Sequence, residues 1–565
     1  MKLTFLLLLL LPTLFSLPFT ATDLHSLYRL SSPTSNGEYT VFSLNKWDAS
    51  THNKYTNLKY THIALQKTFD LTPPQNGVVD TNPVFSAQFP DIVFFLSNRD
   101  GVNQVYYIGF PPTKEEQPVK LTNSLLDIEN LKIKGLSLAF TTEVYPDCPD
   151  FKCTADLDAE KAKRGSNTYS VFDSLMVRHW DKWDNGKVSH VFVNKLEALV
   201  LPNKIVPVVN SAPVDTLKGL NTYSPVPPNG GAEQYDISDD GNELVLTTND
   251  RDFAEAWRTD WKITYVQLGN KGDAINSKIT EEFIGRTQNP RFSPDASKIA
   301  FVAMNKKGSE SDALRLHVFD KTTRQFYKID HDFDRSIDNL MWVDDHTLIL
   351  LCADHGVDKL FVVSFESLDE PAKISLLFDD AISVISFTFI SPSTLLLERH
   401  SFVRPNDLWT LDLKSLVATQ ITFVNQELLS SFELTEPEPF LFDSGEDKVD
   451  AWIFRPINFD STKKYPLAFL IHGGPESPWV QSFSYRWNPE LWVNRGFAVL
   501  MVNPHGSPGQ GQNYTDAVIN NWGGQPYEDL MKAVDEVGLR YEWANIDNAC
   551  ACGKKHDTIK INFSL

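Results

Sequence analysis

Residues 472 to 475 read His-Gly-Gly-Pro and follow the apolar run Leu467-Ala-Phe-Leu-Ile471. A glycine-rich strand end of this kind leaves backbone N–H groups uncovered, which is what acyl transfer needs to stabilise an oxyanion. His472, Gly473 and Gly474 are therefore the candidate oxyanion-side residues; the proline that follows cannot donate. The nucleophile of such chemistry is a serine on a sharp strand-to-helix turn written Gly-x-Ser-x-Gly, with an acid and a histidine later in the chain. No such motif occurs between Met1 and Leu565, so no catalytic serine, acid or histidine is assigned. Ser507, in His505-Gly-Ser-Pro-Gly509, lacks the first glycine of that turn and no helix starts directly after it, so it reads as part of a glycine-rich loop. His556 and Asp557 are adjacent in sequence and do not read as a preserved catalytic pair.

Two kinds of region must position these residues. From about Asp23 to Phe432 the chain alternates short apolar strands with turns rich in Asn, Asp, Gly and Pro, an all-β pattern. A unit recurs within it: Asn82-Pro-Val-Phe-Ser86 before Ile92–Leu96, Tyr235-Asp-Ile-Ser238 before Glu243–Leu246, and Asn289-Pro-Arg-Phe-Ser-Pro-Asp295 before Lys298–Val302. Weaker copies follow at Leu340–Asp344 and Phe387–Ser391. A spacing of about fifty residues fits one four-stranded propeller blade with its loops. Counting the strands between copies predicts seven blades, with six or eight also compatible. Length favours a propeller over a sandwich, because radial repetition protects sheet edges while the chain grows.

Composition changes at Glu436-Pro-Glu-Pro439, after which the order becomes strand, strand, loop, strand, helix, as in an α/β unit. Phe497–Val502 is a near-continuous apolar run suited to a sheet covered on both faces. Residues 525 to 540 place Leu530, Met531, Val534 and Val537 at helical spacing, with Glu528 and Asp529 near the positive N-terminus.

Lys2 followed by the leucine-rich stretch to Leu17 predicts a secretory signal peptide over residues 1–21, cleaved after Ser16 or Ala21, and a secreted or lumenal protein. An uncleaved anchor is the alternative. In that compartment Cys148 and Cys153, which bracket four turn-forming residues, are expected to close a small disulfide loop. Cys352 reads as a buried thiol. Asn513-Tyr-Thr515 and Asn562-Phe-Ser564 are acceptor patterns for N-linked glycans. Lys and Arg number 52 against 73 Asp and Glu, and the resulting charge of −21 repels nucleic acid and anionic lipid. No metal-ligand spacing and no cofactor motif is read.

The ordered set His472-Gly-Gly-Pro-Glu-Ser-Pro-Trp479, Asn503-Pro-His-Gly-Ser-Pro-Gly-Gln-Gly511 and Asn521-Trp-Gly-Gly-Gln-Pro-Tyr-Glu-Asp-Leu530 resembles the prolyl oligopeptidase family of serine peptidases. Within it the likeness is to the secreted dipeptidyl-peptidase and acylaminoacyl-peptidase-like branch. Glu143-Val-Tyr-Pro-Asp147 and Val177-Arg-His-Trp-Asp-Lys-Trp183 share that likeness. The resemblance implies a β-propeller over residues 22–435, then an incomplete α/β-hydrolase domain over 436–547. It implies a Ser-Asp-His mechanism and oligopeptide substrates admitted to a cavity between the two. Glu143 and Glu255 are candidate anchors for the substrate's free N-terminus, as acids are in exopeptidases of this fold.

The likeness stops abruptly. After the Trp543–Asp547 linker, the strand Ala549–Cys552 reaches Gly553, where the nucleophile turn should begin, but the sequence continues Lys-Lys-His-Asp557. Aligned on Gly553, Lys555 takes the serine position and Asp557 that of the last glycine. About 150 further residues would complete such a domain, so residues 548–565 read as a divergent tail. Two expectations follow: a serine exopeptidase whose sequence is truncated or frameshifted in this turn, making the chain inactive, or a noncatalytic relative using its propeller for binding.

Overall fold

The computed structural model describes residues 17–113, 116–163, 165, 169–202, 204–269, 273–474 and 476–553. Residues 1–16 of the expected signal peptide 1–21, Pro475, the 554–557 run and Asn562 lie outside the described residues.

Seven antiparallel sheets follow one another along residues 29–420, spanning 29–70, 80–120, 129–215, 222–278, 287–328, 339–376 and 383–420. The third and fourth carry a fifth strand. They form the blades of a propeller. The recurrent turn between a blade's first two strands is fixed by its own side chains. In the fifth blade Ser293 Oγ donates to Asp295 Oδ1 at 2.6 Å, and the same carboxylate oxygen accepts Ser297 N at 2.9 Å. Ser238, Asp240 and Asn242 repeat this in the fourth. Such local closure, independent of the rest of the fold, gives the repeat its recurrent spelling.

Each blade is a contiguous stretch of chain, so the ring closes by packing. Leu30, Phe42 and Leu44 of the first blade meet Leu396 and Leu408 of the seventh, and Gln66 Nε2 donates to the Gln420 carbonyl at 3.0 Å. Equivalent apolar seams join the other neighbours, for example Val302 and Leu316 with Leu340 and Leu350 between blades five and six.

Residues 23–432 are not wholly β. A helix, Phe151–Ala162, is inserted between the second and third strands of the third blade's main ladder. Only Thr154 of its residues is buried, so it lacks the apolar stripe that announces a helix. Its start is fixed by Asp150, whose side chain accepts Cys153 N at 2.8 Å, and by the Cys148–Cys153 disulfide. A second helix, Ala21–Ser26, precedes the blades, capped by Thr20 and Asp23. It packs against both units: Phe19, Leu24 and Leu27 are buried with Phe483, Phe19 N donates to Asn494 Oδ1 at 2.7 Å, and the His25 ring lies 5.9 Å from that of Trp47 in the first blade. The blades thus begin at Arg29, not residue 22, and residues 17–27 are structured.

The second unit is a five-stranded sheet in the order 438–444, 447–454, 498–503, 465–471, 544–553. The last two pair in parallel, as do 465–471 and 498–503. Helix Gln525–Arg540 covers one face through Leu530, Ala533 and Val537; Phe402 and Val403 of the seventh blade reach the other, against Trp452 and Met501. The sheet does not end at Asp547. The expected linker 543–547 and tail 548–553 form one strand, Ala544–Gly553, with a register irregularity between Asn545 and Ala549. Half-buried Ala549 and Ala551 join the apolar core on one face, Cys550 and Cys552 that on the other, which holds this stretch in the sheet.

Candidate functional site

The strand Tyr465–Ile471 delivers His472 to the C-terminal edge of the parallel strands, where open α/β sheets bind ligands. Gly474 turns the chain there: its φ is +145°, and a Cβ would lie 2.6 Å from Glu476 N, so only glycine fits this close approach. His472 is buried, with Nε2 3.0 Å from Ser507 Oγ. Ser507 donates its own proton to the Pro504 carbonyl at 2.7 Å, so its oxygen receives the His472 N–H. Burial pushes the His472 imidazole down to about 4, which keeps it neutral. Ser507 has no exposed surface. It props the His472–Gly474 turn from beneath and is closed to solvent.

Gly553 lies beside Ile471 in the parallel register. The chain therefore leaves its last described strand next to His472-Gly-Gly, the place a strand-borne nucleophile turn would occupy.

A buried polar knot fixes the loop that holds Ser507. Asp529 projects from the inner face of helix Gln525–Arg540 and accepts both His505 N and His505 Nδ1 at 2.7 Å, while His505 Nε2 lies 3.1 Å from Asp447 Oδ2. The ring stacks on Tyr514 at 4.1 Å. Burial pulls the His505 pKa down, but Asp529 and Asp447 more than offset this and hold it above its ordinary value. This knot was not foreseen; the signal available was an aspartate at a helix position flanked by core residues.

Two cavities lie on the propeller face that meets the second unit. One, about 420 Å³, lies between blades five and six and the 476–480 and 508–515 loops. Asp338 and Asp358 line it, pushed up to about 6 and about 7, chiefly by burial. The other, about 390 Å³, is walled by blades two to four and holds Glu129, Glu143, Asp158, Lys182 and Lys187. Glu143 has a half-open carboxylate, with Asn185 Nδ2 at 3.2 Å and Lys187 Nζ at 3.9 Å. Burial first, and Glu143 second, raise the pKa of the neighbouring Glu129.

Glu255, the other expected anchor, is differently placed. It is buried, with Oε1 2.8 Å from His179 Nε2 and 3.3 Å from Asn249 Nδ2, so its carboxylate is already engaged. Asn513 is exposed on the short helix Gln512–Asp516. Among the described residues no group of three or more His, Cys, Asp or Glu is placed to hold a metal ion, and no helix is long and apolar enough to cross a membrane.

The model of the prolyl oligopeptidase family matches residues 482–554. Dipeptidyl-peptidase 5 of Arthroderma otae is 31% identical over 421 residues, 70% of this chain and 55% of that protein. Probable dipeptidyl-peptidase 5 of Emericella nidulans is 31% identical over 431 residues, 72% and 57% respectively. The chain thus spans about half the length of the curated relatives it matches. Of solved structures, Pyrococcus horikoshii acylaminoacyl peptidase superposes with a TM-score of 0.70 at 14% identity, over 95% of this chain and 75% of that one. A Mycobacterium tuberculosis puromycin-hydrolyzing peptidase gives 0.59 at 13%, over 95% and 77%. At these identities the structural likeness speaks for the fold alone. Residues 482–554 thus match the prolyl oligopeptidase family of serine peptidases, and the dipeptidyl-peptidase relatives extend that similarity over about 70% of the chain.

Proposed function

We propose that the chain represents a secreted serine exopeptidase that releases dipeptides from oligopeptide N-termini through an acyl-enzyme, and that these 565 residues alone do not hydrolyse peptides. The observation that carries this reading is the pairing of Gly553 with Ile471: the strand that would bear the nucleophile is in register beside the oxyanion-side loop, while the sequence after it reads Lys-Lys-His-Asp. The relatives' name, dipeptidyl-peptidase 5, supports the reaction class. In that reaction His472-Gly473-Gly474 supplies the oxyanion-side backbone. Glu143 holds the substrate ammonium inside the 390 Å³ cavity, where a bound cation also relieves the repulsion between Glu143 and Glu129. Glu255 takes no part in that contact.

For secretion, cleavage after Ser16 keeps buried Phe19 and the Thr20 cap, whereas cleavage after Ala21 would remove both. The mature protein carries a glycan on Asn513 and works without nucleic acid, membrane or cofactor.

A fluorophosphonate probe on the purified 565-residue chain tests the claim of inactivity: no labelling is expected, and labelling would sink it. Reading the transcript across codons 548 to 565 tests the enzymatic lineage. Continuation into Gly-x-Ser-x-Gly in another frame supports the peptidase. An uninterrupted stop after Leu565 favours a noncatalytic propeller binding protein instead.

A further inference from the structure

The two middle strands of blade six, Thr347–Asp354 and Val357–Ser364, end in a two-residue turn that reaches the second unit. His355 and Gly356 make the turn with φ of +46° and +72°, the left-handed pair that a tight hairpin requires. Two backbone bonds cross the boundary there. His355 N donates to the Gly509 carbonyl at 3.1 Å, and Gln481 N donates to that of Gly356 at 2.8 Å. A Cβ on Gly356 would lie 2.2 Å from the Trp452 ring, so the two units are in close contact as well as bonded. The His355 ring adds a polar contact, Nδ1 to the Asp450 carboxylate at 3.4 Å.

Asp338 and Asp358 lie just behind this turn. Asp358 pairs with Ala353 across the hairpin, and Asp338, where the neighbouring strand begins, accepts the Ala353 N–H. Both side chains line the 420 Å³ cavity whose far wall is the 476–480 and 508–515 loops of the second unit. Among the described residues no Lys, Arg or His pairs with either. Arg335 and Lys359 are both taken by Asp354, at 2.7 and 3.1 Å, and Arg286 lies over the Trp261 ring at 4.7 Å. The other charged groups on the cavity wall are acids: Glu310, Asp312 and Asp334 from blade five, and Glu476 from the second unit. Lys306 N and Arg315 engage Asp312 and Asp334.

We propose that the blade-six hairpin and the acid pair behind it form a pH-sensitive latch between the propeller and the second unit, closed in acid and loosened as the solution passes neutrality. Closing the cavity draws both carboxyl groups out of water together, facing Glu476. Protonated, they tolerate this; ionised, they lose hydration and repel. Burial holds Asp338 up at about 6 and Asp358 at about 7, the latter also raised by Asp338. The closed state therefore binds protons more tightly than an open one, so closure is favoured in acid and weakens as pH rises through these values. His355 acts in the same direction. Its bond to Asp450 raises its pKa above 6.5, so that contact is complete below 6.5 and fades as pH rises through the raised value. Asp354 faces the same imidazole from its own hairpin and Arg335 opposes it; His505 is held by Asp447 and Asp529, away from this cavity. Blade seven meets the second unit through uncharged Phe402 and Val403, which makes that side the pivot. The latch does not depend on the peptidase reading.

The test follows amide hydrogen exchange in the full 565-residue chain at about pH 5 and about pH 8, each rate divided by the intrinsic rate at that pH. His355 and Gln481, whose N–H groups cross the boundary, are expected to lose protection roughly tenfold or more at the higher pH, a factor of ten for each unit by which closure raises a carboxyl pKa. Strand amides of blade four are the internal reference. Asp338→Asn combined with Asp358→Asn keeps the shape and removes the charge, so most of the loss disappears; His355→Gln removes only the share of the ring. If the double variant does not fold, Asp358→Asn alone is read and recovers protection at the higher pH. A loss at His355 and Gln481 no greater than in blade four overturns the proposal. So does a loss of native size in the asparagine variant, or one that His355→Gln abolishes by itself.

Discussion

Asp529→Asn should loosen the loop beneath the oxyanion-side residues far more than any change at the surface nearby. The native carboxylate has no exposed surface and accepts three bonds, from His505 N and Nδ1 at 2.7 Å each and from Gln525 Nε2 at 3.0 Å. An asparagine keeps the shape but not the charge, and turns a donor toward one of these three donors. The lower end of the cost of breaking a buried charge pair is about 3 kcal/mol, which is roughly a hundredfold in a local opening equilibrium. Amide hydrogen exchange is the suitable assay, because it resolves residues 504–516 from the rest of the chain, with the propeller blades as internal reference. Asp447→Asn is the matched control. It removes the other carboxylate on the same imidazole, but Asp447 is largely exposed and should cost under about 1 kcal/mol. The pH dependence carries a sign as well. His505 is held above its ordinary pKa of 6.5, so its contribution is complete below that value and fades as pH rises through the folded pKa. Asp529→Asn should abolish this loss at higher pH. Exchange in 504–516 within threefold of the native chain, or an equal effect from Asp447→Asn, would refute the reasoning.

Acid should destabilise the protein through three histidines that burial keeps neutral, His317, His400 and His472, each pushed down to about 4. Their folded values lie below the unfolded 6.5, so stability is intact above pH 6.5 and falls between 6.5 and about 4. His317→Phe, beside the rings of Phe283 and Phe301, should make that decline shallower in urea titrations at stepped pH; an unchanged slope counts against it. Phe19→Ala should cost about 3–5 kcal/mol, because the ring is buried edge-on against Phe432 at 5.2 Å; proteolysis of the second unit should accelerate, and native resistance would show that residues 17–27 do not hold it.

What could be read from sequence is what local interactions settle. The Ser-Pro-Asp turn closes on its own side chains within five residues, so its recurrence announced the propeller without knowledge of any neighbour. The apolar run before His472 is likewise local, and it placed His472-Gly473-Gly474 at the end of a strand, where the structure has them. The helix Phe151–Ala162 escaped because only Phe151 and Ala155, near its start, pack on the blade core, too few to leave an apolar period in the sequence. Glu143 and Glu255 were indistinguishable for a different reason. Glu255 is engaged by His179, 76 residues away, and Glu143 opens into a cavity assembled from three blades; neither environment is written near the residue.

The same distinction bears on the missing nucleophile. Sequence alone showed that no serine turn follows Gly553, but it left open whether the strand leading there survives. The structure places Gly553 in register with Ile471, with Ala549 and Ala551 in one core and Cys550 and Cys552 in the other. The sheet therefore holds the approach to the turn by the packing of its own side chains, with no help from the nucleophile. The described part of that strand is built as far as Gly553, the residue at which a nucleophile turn would begin.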